Sequence, residues 1–335
     1  MWGLTNQTPF AAERTWVRDK TGYHHWIVAV RAIFEVAPNG ELRLAKEQLP
    51  PVMVPEYFGE PGASSLRFDG DLVPSKPTTE VLVNACAYAP LGKPATSVPV
   101  GLRVGPIEKT LVVHGPRLYR DGVGGLTTTA PQPFKSHPIR YEDAYGGSDL
   151  SDPDPRRQRI DLRNPVGKGV KVRTADLIST PAHRIEYPQG AQRKSGPAGF
   201  GALPSHWSPR HALAGNYDDV WKNTRKPLLP ADYDDRFTLC APPDQRAPTY
   251  LQGGEPVYLV NMTPDGVLHT RLPKVELVYT TRIKGRRQEH SSRLVTVILE
   301  PELRHLILVW HTSLPIATTE LDHLVETIIE ERTAP

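Results

Sequence analysis

Every second residue of HWIVAVRAIFEV (25–36) is apolar, and strict alternation places Trp26, Val28, Val30, Ala32, Phe34 and Val36 on one face. A period of two predicts a strand with one face on a core. Asn39-Gly40 follows as a type I′ turn pair and ELRLA returns, so residues 25–45 read as a β-hairpin. TEVLVNACAYAP (79–90), SVPVGLRVG (97–105) and IEKTLVVHG (107–115) predict further short strands at the spacing of a sandwich or barrel. From EPVYLVNM onward, the Pro264-Asp265-Gly266 turn, VLHTRLP, KVELVYTTRI, a basic turn at Gly285-Arg286-Arg287, RLVTVILE and RHLILVW read as a meander.

Helical periodicity is confined to two places. NYDDVWKNTRK (216–226) predicts a short helix capped by Asn216 or Asp218 and stopped by Pro227, with Tyr217, Val220 and Trp221 as its apolar stripe. ELDHLVETIIEE (320–331) spaces Leu321, Leu324, Val325, Ile328 and Ile329 as a helix, although VETII alone also reads as strand. Residues 116–205 are loop-like in composition. A structureless run of that length is unusual inside a domain, so short hidden strands or a flap over the core are expected there. The fold class is therefore mainly β: two packed β regions, long Pro-rich loops, one short helix near 216–226 and a C-terminal helix. The chain reads as one domain, 1–335, with an N-terminal β region (1–115), a loop-rich region (116–255) and a C-terminal meander ending in the helix (256–335).

Composition sharpens this picture at three points. Thirty-five prolines in 335 residues are about twice the usual share, and being dispersed they exclude long helices. Forty basic against 37 acidic residues give a net +3, too balanced to mark a nucleic-acid or anionic-membrane partner. No apolar run approaches the ~18 residues of a spanning helix. The start lacks the basic and apolar regions of a signal peptide. Two cysteines, Cys86 and Cys240, fit a reducing compartment, with the cytoplasm as default.

YEDAYGGSDLSDPDPRRQRIDLRNPVGKG (141–169) has the look of a working loop, with clustered acids and paired glycines. A calcium-loop register from Asp152 puts Arg156 at the fifth position, and one from Asp149 puts Ile160 at the twelfth. A phosphate loop around Gly167-Lys168 has Leu162 and Gly169 where Gly and Ser or Thr are needed. Positive-φ turns at Gly146-Gly147 and Gly167-Gly169, with mutually screened charges, are the expected reading. Elsewhere, GGSDL lacks the second glycine of a nucleophile elbow. His24-His25 points to opposite faces of a strand, and Pro209 separates His206 from His211. No catalytic, metal or cofactor residue is assigned, and the chain is not read as an enzyme. The alternative is a hydrolase using carboxylate pairs among Asp218, Asp232 and Asp234.

Six stretches in fixed order carry a resemblance: VPSKPTTEVLVNACAYAPLGKP, PIRYEDAYGG, NPVGKG, PAGFGALPSHWSPRHALAGNYDDVW, PLLPADYDDRF and APPDQRAPTYLQGGEPVYLVNM. Together they resemble the domain-of-unknown-function family 2169 from about residue 65 to 275, with Glu80, Asn84 and Asp143 departing from its usual residues. The resemblance implies an adaptor of the bacterial type VI secretion system, which binds a cognate secreted effector and loads it onto a VgrG-type spike protein. It implies no cofactor and no catalytic residue, and its alternative is a structural component of the secreted spike complex itself. The residues it singles out as a structural signature are Gly146, Gly147, Asn164, Gly167 and Gly169 in the loop. Trp207, Arg210, Gly215, Tyr217, Asp218 and Trp221 follow, then Asp234, Arg236 and Phe237, and Gly254 and Glu255. Trp207 and Trp221 are expected to be buried in a corner, with Arg210 paired to a carboxylate and Gly215 turning the chain.

Overall fold

The computed structural model describes residues 2–190 and 196–332, so residues 191–195 of the predicted loop-rich segment lie outside it. The chain is mainly β, and three larger sheets carry it. The first runs in the order Ala11–Arg18, His24–Val36, His305–Ile316, Arg293–Glu300, Glu80–Val83, with Leu42–Leu44 added on His24–Val36. The second is Ile185–Glu186, Ile107–His114, Ser97–Val104, Pro256–Val260, Val267–Arg271. The third is Gly3–Asn6, Leu324–Glu331, Leu277–Ile283, Arg286–Ser291. Consecutive hairpins of the predicted meander therefore belong to three different sheets. Long-range pairing with N-terminal strands decides this: His305–Ile316 runs the length of His24–Val36, and Pro256–Val260 pairs with Ser97–Val104.

One apolar cluster joins the three sheets, drawing Val28, Val30, Val100, Leu111, Leu259, Tyr279 and Ile329 into a common core. The even-numbered residues from Trp26 to Val36 face it, as their alternation predicts. The odd face is not solvated, however. Ile33 packs there with Val52, Phe68, Leu82, Cys240, Ile298 and Ile307, because segments 45–71 and 200–245 cover the sheet. The hidden short strands of the loop-rich region are present, among them Tyr119–Gly122 paired with Gly125–Thr128.

Four local expectations are corrected. The hairpin Leu42–Leu44 forms, but only Gly40 of the Asn39-Gly40 pair has positive φ (86°), so the turn is not type I′. Gly40 N–H instead closes on Ala37 O, and Ala37 N–H on Glu41 O. Arg286 and Arg287 lie inside the strand Arg286–Ser291, leaving Lys284 and Gly285 at the turn. The C-terminal helix is a strand, Leu324–Glu331, preceded by a 3-10 turn at Thr318–His323. Its β-branched Val325, Thr327, Ile328 and Ile329 suit a pleated surface, and it is held between Gly3–Asn6 and Leu277–Ile283. A bulge skips Val325 in the pairing and leaves it exposed. The α-helix is Asp219–Thr224, capped by Asp218, whose carboxylate accepts from Trp221 N–H. It buries none of its side chains, so the predicted apolar stripe is not a core stripe. No helix among the described residues is long and apolar enough to cross a membrane.

Candidate functional site

Loop 141–169 is a knot of backbone built around Asn164. This side chain is buried, and its amide donates to Tyr141 O (2.9 Å) and Tyr145 O (3.0 Å). The Asn164 backbone carbonyl accepts from Gly147 N–H at 2.7 Å. The glycines exist to let it in. A Cβ on Gly146, whose φ is +150°, would stand 2.3 Å from Asn164 O. Gly167 does not have the positive φ expected of it. It is required by space, since its Cβ would lie 2.4 Å from the Asn164 amide nitrogen and 2.7 Å from Ala144 O. Gly167→Ala should lower stability by about 1–3 kcal/mol, as overpacking of a filled site does; urea unfolding at equal slope checks it.

The loop acids have local work. Asp152 and Asp154 accept from backbone N–H groups two residues on, and Asp149 from Ser151 and Val172 N–H. Asp143 is the exception. Burial raises its carboxyl, but bonds from His137 and Lys168 outweigh this and hold it down at about 2. It lines a pocket of about 450 Å³ with Arg117, Lys168 and Arg184. Behind that wall Glu186 accepts from His183 (2.7 Å) and from Arg117, and the Tyr119 hydroxyl meets the other His183 nitrogen at 2.6 Å. Each cation of this wall already has a partner: Lys168 has Asp143, Arg117 has Glu186, and Arg184 bonds His114 O.

Trp207 ties the loop to the corner. It is fully buried, packs edge-on against Tyr141 (5.5 Å) and clusters with Leu203 and Val166. Arg210, also buried, reaches Asp69 at 2.6 Å and donates to Leu203 O and Phe237 O. Gly215 turns the chain with φ +80°, as expected. Trp221 is only half-buried and Tyr217 is exposed, which corrects the expected corner. Asp234 caps the turn Asp235–Thr238 and pairs with Arg236, and Asp232 accepts from Asn216 N–H and its amide. The three acids of the hydrolase alternative, Asp218, Asp232 and Asp234, thus each serve local backbone. Gly254 and Glu255 stand apart, closing the turn into Pro256–Val260 through Gly254 N–H to Leu272 O and Leu272 N–H to Glu255 O. Among the thiols, Cys240 is buried and Cys86 half-buried, and burial together with Glu302 pushes Cys86 up to about 12.

Sequence reasoning missed the charged layer beneath the covering segments. Lys76 and Glu80 pair at 2.5 Å, and Arg31 meets Asp71 at 3.4 Å, all four side chains at most 4% exposed. The available signal was Arg31 itself, a cation in the middle of an apolar strand. Above it runs QLPPVMVPEYF (48–58), kept extended by Pro50, Pro51 and Pro55. Gln48 anchors this strap by bonding both N–H and C=O of Ile33 at 2.9 Å, and Val52 N–H bonds Asp71 at 2.8 Å. Between strap and sheet lies a groove of about 560 Å³, lined by Arg31, Ile33, Val52, Phe68, Glu300, His305 and Ile307 among others. Its rim exposes Leu49 (46%), Met53 (62%), Val54 (71%) and Leu303 (54%). Among the described residues, no group of three or more His, Cys, Asp or Glu is arranged to hold a metal ion.

A family model described as "Uncharacterized protein conserved in bacteria (DUF2169)" matches residues 21–311. Comparison with curated proteins and with solved structures finds no match.

Proposed function

We propose, for a chain that belongs to the bacterial DUF2169 family, the role of a cytoplasmic adaptor that binds a cognate secreted effector and loads it onto a VgrG-type spike. The motif resemblance is the source of this reading. The observation in its favour is the rim of Leu49, Met53, Val54 and Leu303, four large apolar side chains exposed around one groove. Apolar side chains gathered on one exposed patch mark interaction surfaces, and a specific interface needs about 1,200–2,000 Å² of total buried area. The groove and strap supply a centre for such an interface, where apolar anchors carry most of the binding energy.

Co-expression with the effector encoded beside this gene tests the reading. The effector should gain solubility and co-purify, and deletion of the gene should abolish delivery of that effector alone. Met53→Asp with Val54→Asp, both on the exposed rim, should reduce co-purification at least tenfold without changing the melting temperature. Normal effector delivery in the deletion strain would overturn the adaptor reading.

A further inference from the structure

The groove under the strap has a direction. Across the sheet, Arg31 is opposite Val309, Ile33 opposite Ile307, and Glu35 opposite His305. Ile33, Ile307 and His305 line the groove, whereas Val309 does not, so the lining stops at Arg31. Val52, which also lines the groove, and Asp71, the partner of Arg31, are bonded to each other twice, through Val52 N–H to the Asp71 carboxylate and Asp71 N–H to Val52 O, both at 2.8 Å. The groove therefore opens at the hairpin between Glu300 and His305 and ends on Arg31. From Arg31 to Glu35 the strand advances about 13 Å at ~3.3 Å per residue, room for about four residues of extended peptide.

Arg31 at that end is incompletely satisfied. Its side chain is 2% exposed, yet its Nε–H has no acceptor among the described residues. Its ion pair with Asp71 is long, at 3.4 Å, and its guanidinium otherwise lies over the Phe68 ring at 4.8 Å. A buried guanidinium N–H without a partner is costly, and a planar carboxylate is the acceptor that matches its fork. The other arginine lining the groove is occupied, since Arg67 already bonds Glu300 at 3.0 Å. Burial pushes the Asp71 carboxyl up, while Arg31 and Lys76 beside it and the Val52 N–H pull the other way.

We infer that the groove captures the apolar C-terminal tail of a partner protein, with the terminal carboxylate on Arg31 and the preceding side chains on Leu49, Met53, Val54 and Leu303. A chain end is required because the groove does not continue past Arg31. Apolar residues are required because the rim is apolar. This rests on the adaptor reading only for what the partner is; the tail chemistry follows from the groove.

Fluorescence anisotropy on the full chain tests it. The probes are fluorescein-labelled hexapeptides whose last four positions are drawn from Leu, Ile, Val, Pro and Phe, each as free acid and as C-terminal amide. The best free acids should bind at least tenfold tighter than their amides. Arg31→Gln should bring that ratio to about one while leaving amide binding in place. Val54→Asp, on the exposed rim and independent of the buried pair, should weaken acid and amide alike by about tenfold. It keeps the proposal testable if Arg31→Gln does not fold. Equal binding of acids and amides, or no binding across the set, overturns the inference. So does equally tight binding of an amidated peptide with glutamate in the last position, which would assign Arg31 to a side chain instead. If the effector co-purifies but the acid-to-amide ratio is one, only the tail inference fails. If the ratio holds but the effector neither co-purifies nor depends on this gene, only the loading reading fails.

Discussion

Lys76→Met lowers the unfolding free energy by about 3–5 kcal/mol, the usual consequence of stripping one partner from a buried ion pair. Glu80 is wholly buried, and its carboxylate is held by Lys76 at 2.5 Å and by Ala241 N–H at 2.7 Å. Lys76 in turn donates to Thr296 at 2.9 Å, tying the segment before Glu80–Val83 to the neighbouring strand Arg293–Glu300. Methionine fills the same volume without the charge, so Glu80 either stays ionised without compensation or takes up a proton. Lys76→Met with Glu80→Gln should recover most of the loss, because the amide still accepts from Ala241. The sign with pH follows from both partners. Burial raises the Glu80 carboxyl, but Lys76 and Ala241 N–H outweigh it and bring it below its ordinary value, so its contribution is present above the carboxylate range and lost as pH falls. Burial lowers the Lys76 ammonium, but Glu80 outweighs that and raises it, so its contribution is present below the ordinary lysine range and lost as pH rises. Guanidinium unfolding at pH 7 checks the first result, and a single variant no less stable than the double one would show the pair to be solvated.

The strands were legible where one rule governed them. Alternation located His24–Val36, Ser97–Val104 and Ile107–His114 because each presents one face to the common core. Alternation does not say which strand pairs with which. The hairpins between 256 and 316 look identical in sequence whether they form one meander or enter three sheets, and pairing with strands 41 to 292 positions away decides it. Residues 324–331 were ambiguous for a related reason: Leu324 and Ile328 fit a helical face, while Thr327 and Ile329 fit the inward face of a strand. Pairing on both edges settled the matter. The signature residues divided in the same way. Asn164 and the glycines around it were identifiable as a tight backbone, but the reason for Gly167 is a close approach that no turn rule contains. Arg31 was visible in the sequence all along. That it ends a groove depended on the strap 48–58 folding back over its strand.

Trp207→Ala should cost about 3–5 kcal/mol, as removal of a large aromatic from a packed interior does, whereas Trp221→Ala should cost only about 1 kcal/mol, near the centre of ordinary substitutions. The two tryptophans belong to one motif and the sequence treats them alike. Their surroundings do not. Trp207 is 1% exposed and joins Tyr141 of the loop to Leu203 of the corner, so alanine there separates two segments that also meet through Ser208 N–H to Leu162 O. Trp221 sits on a six-residue helix with no buried side chain and contributes an indole N–H to Leu228 O at 2.7 Å. Trp207→Phe keeps one aromatic ring in the site. Among the described residues the Trp207 indole N–H has no partner, so phenylalanine removes an unsatisfied donor but leaves a cavity where the second ring stood, and its cost should be smaller than that of alanine without vanishing. Urea midpoints for the three variants at equal slope decide the matter. A Trp221→Ala loss as large as that of Trp207→Ala would mean that the helix Asp219–Thr224 is clamped onto the body more tightly than its exposed surface allows.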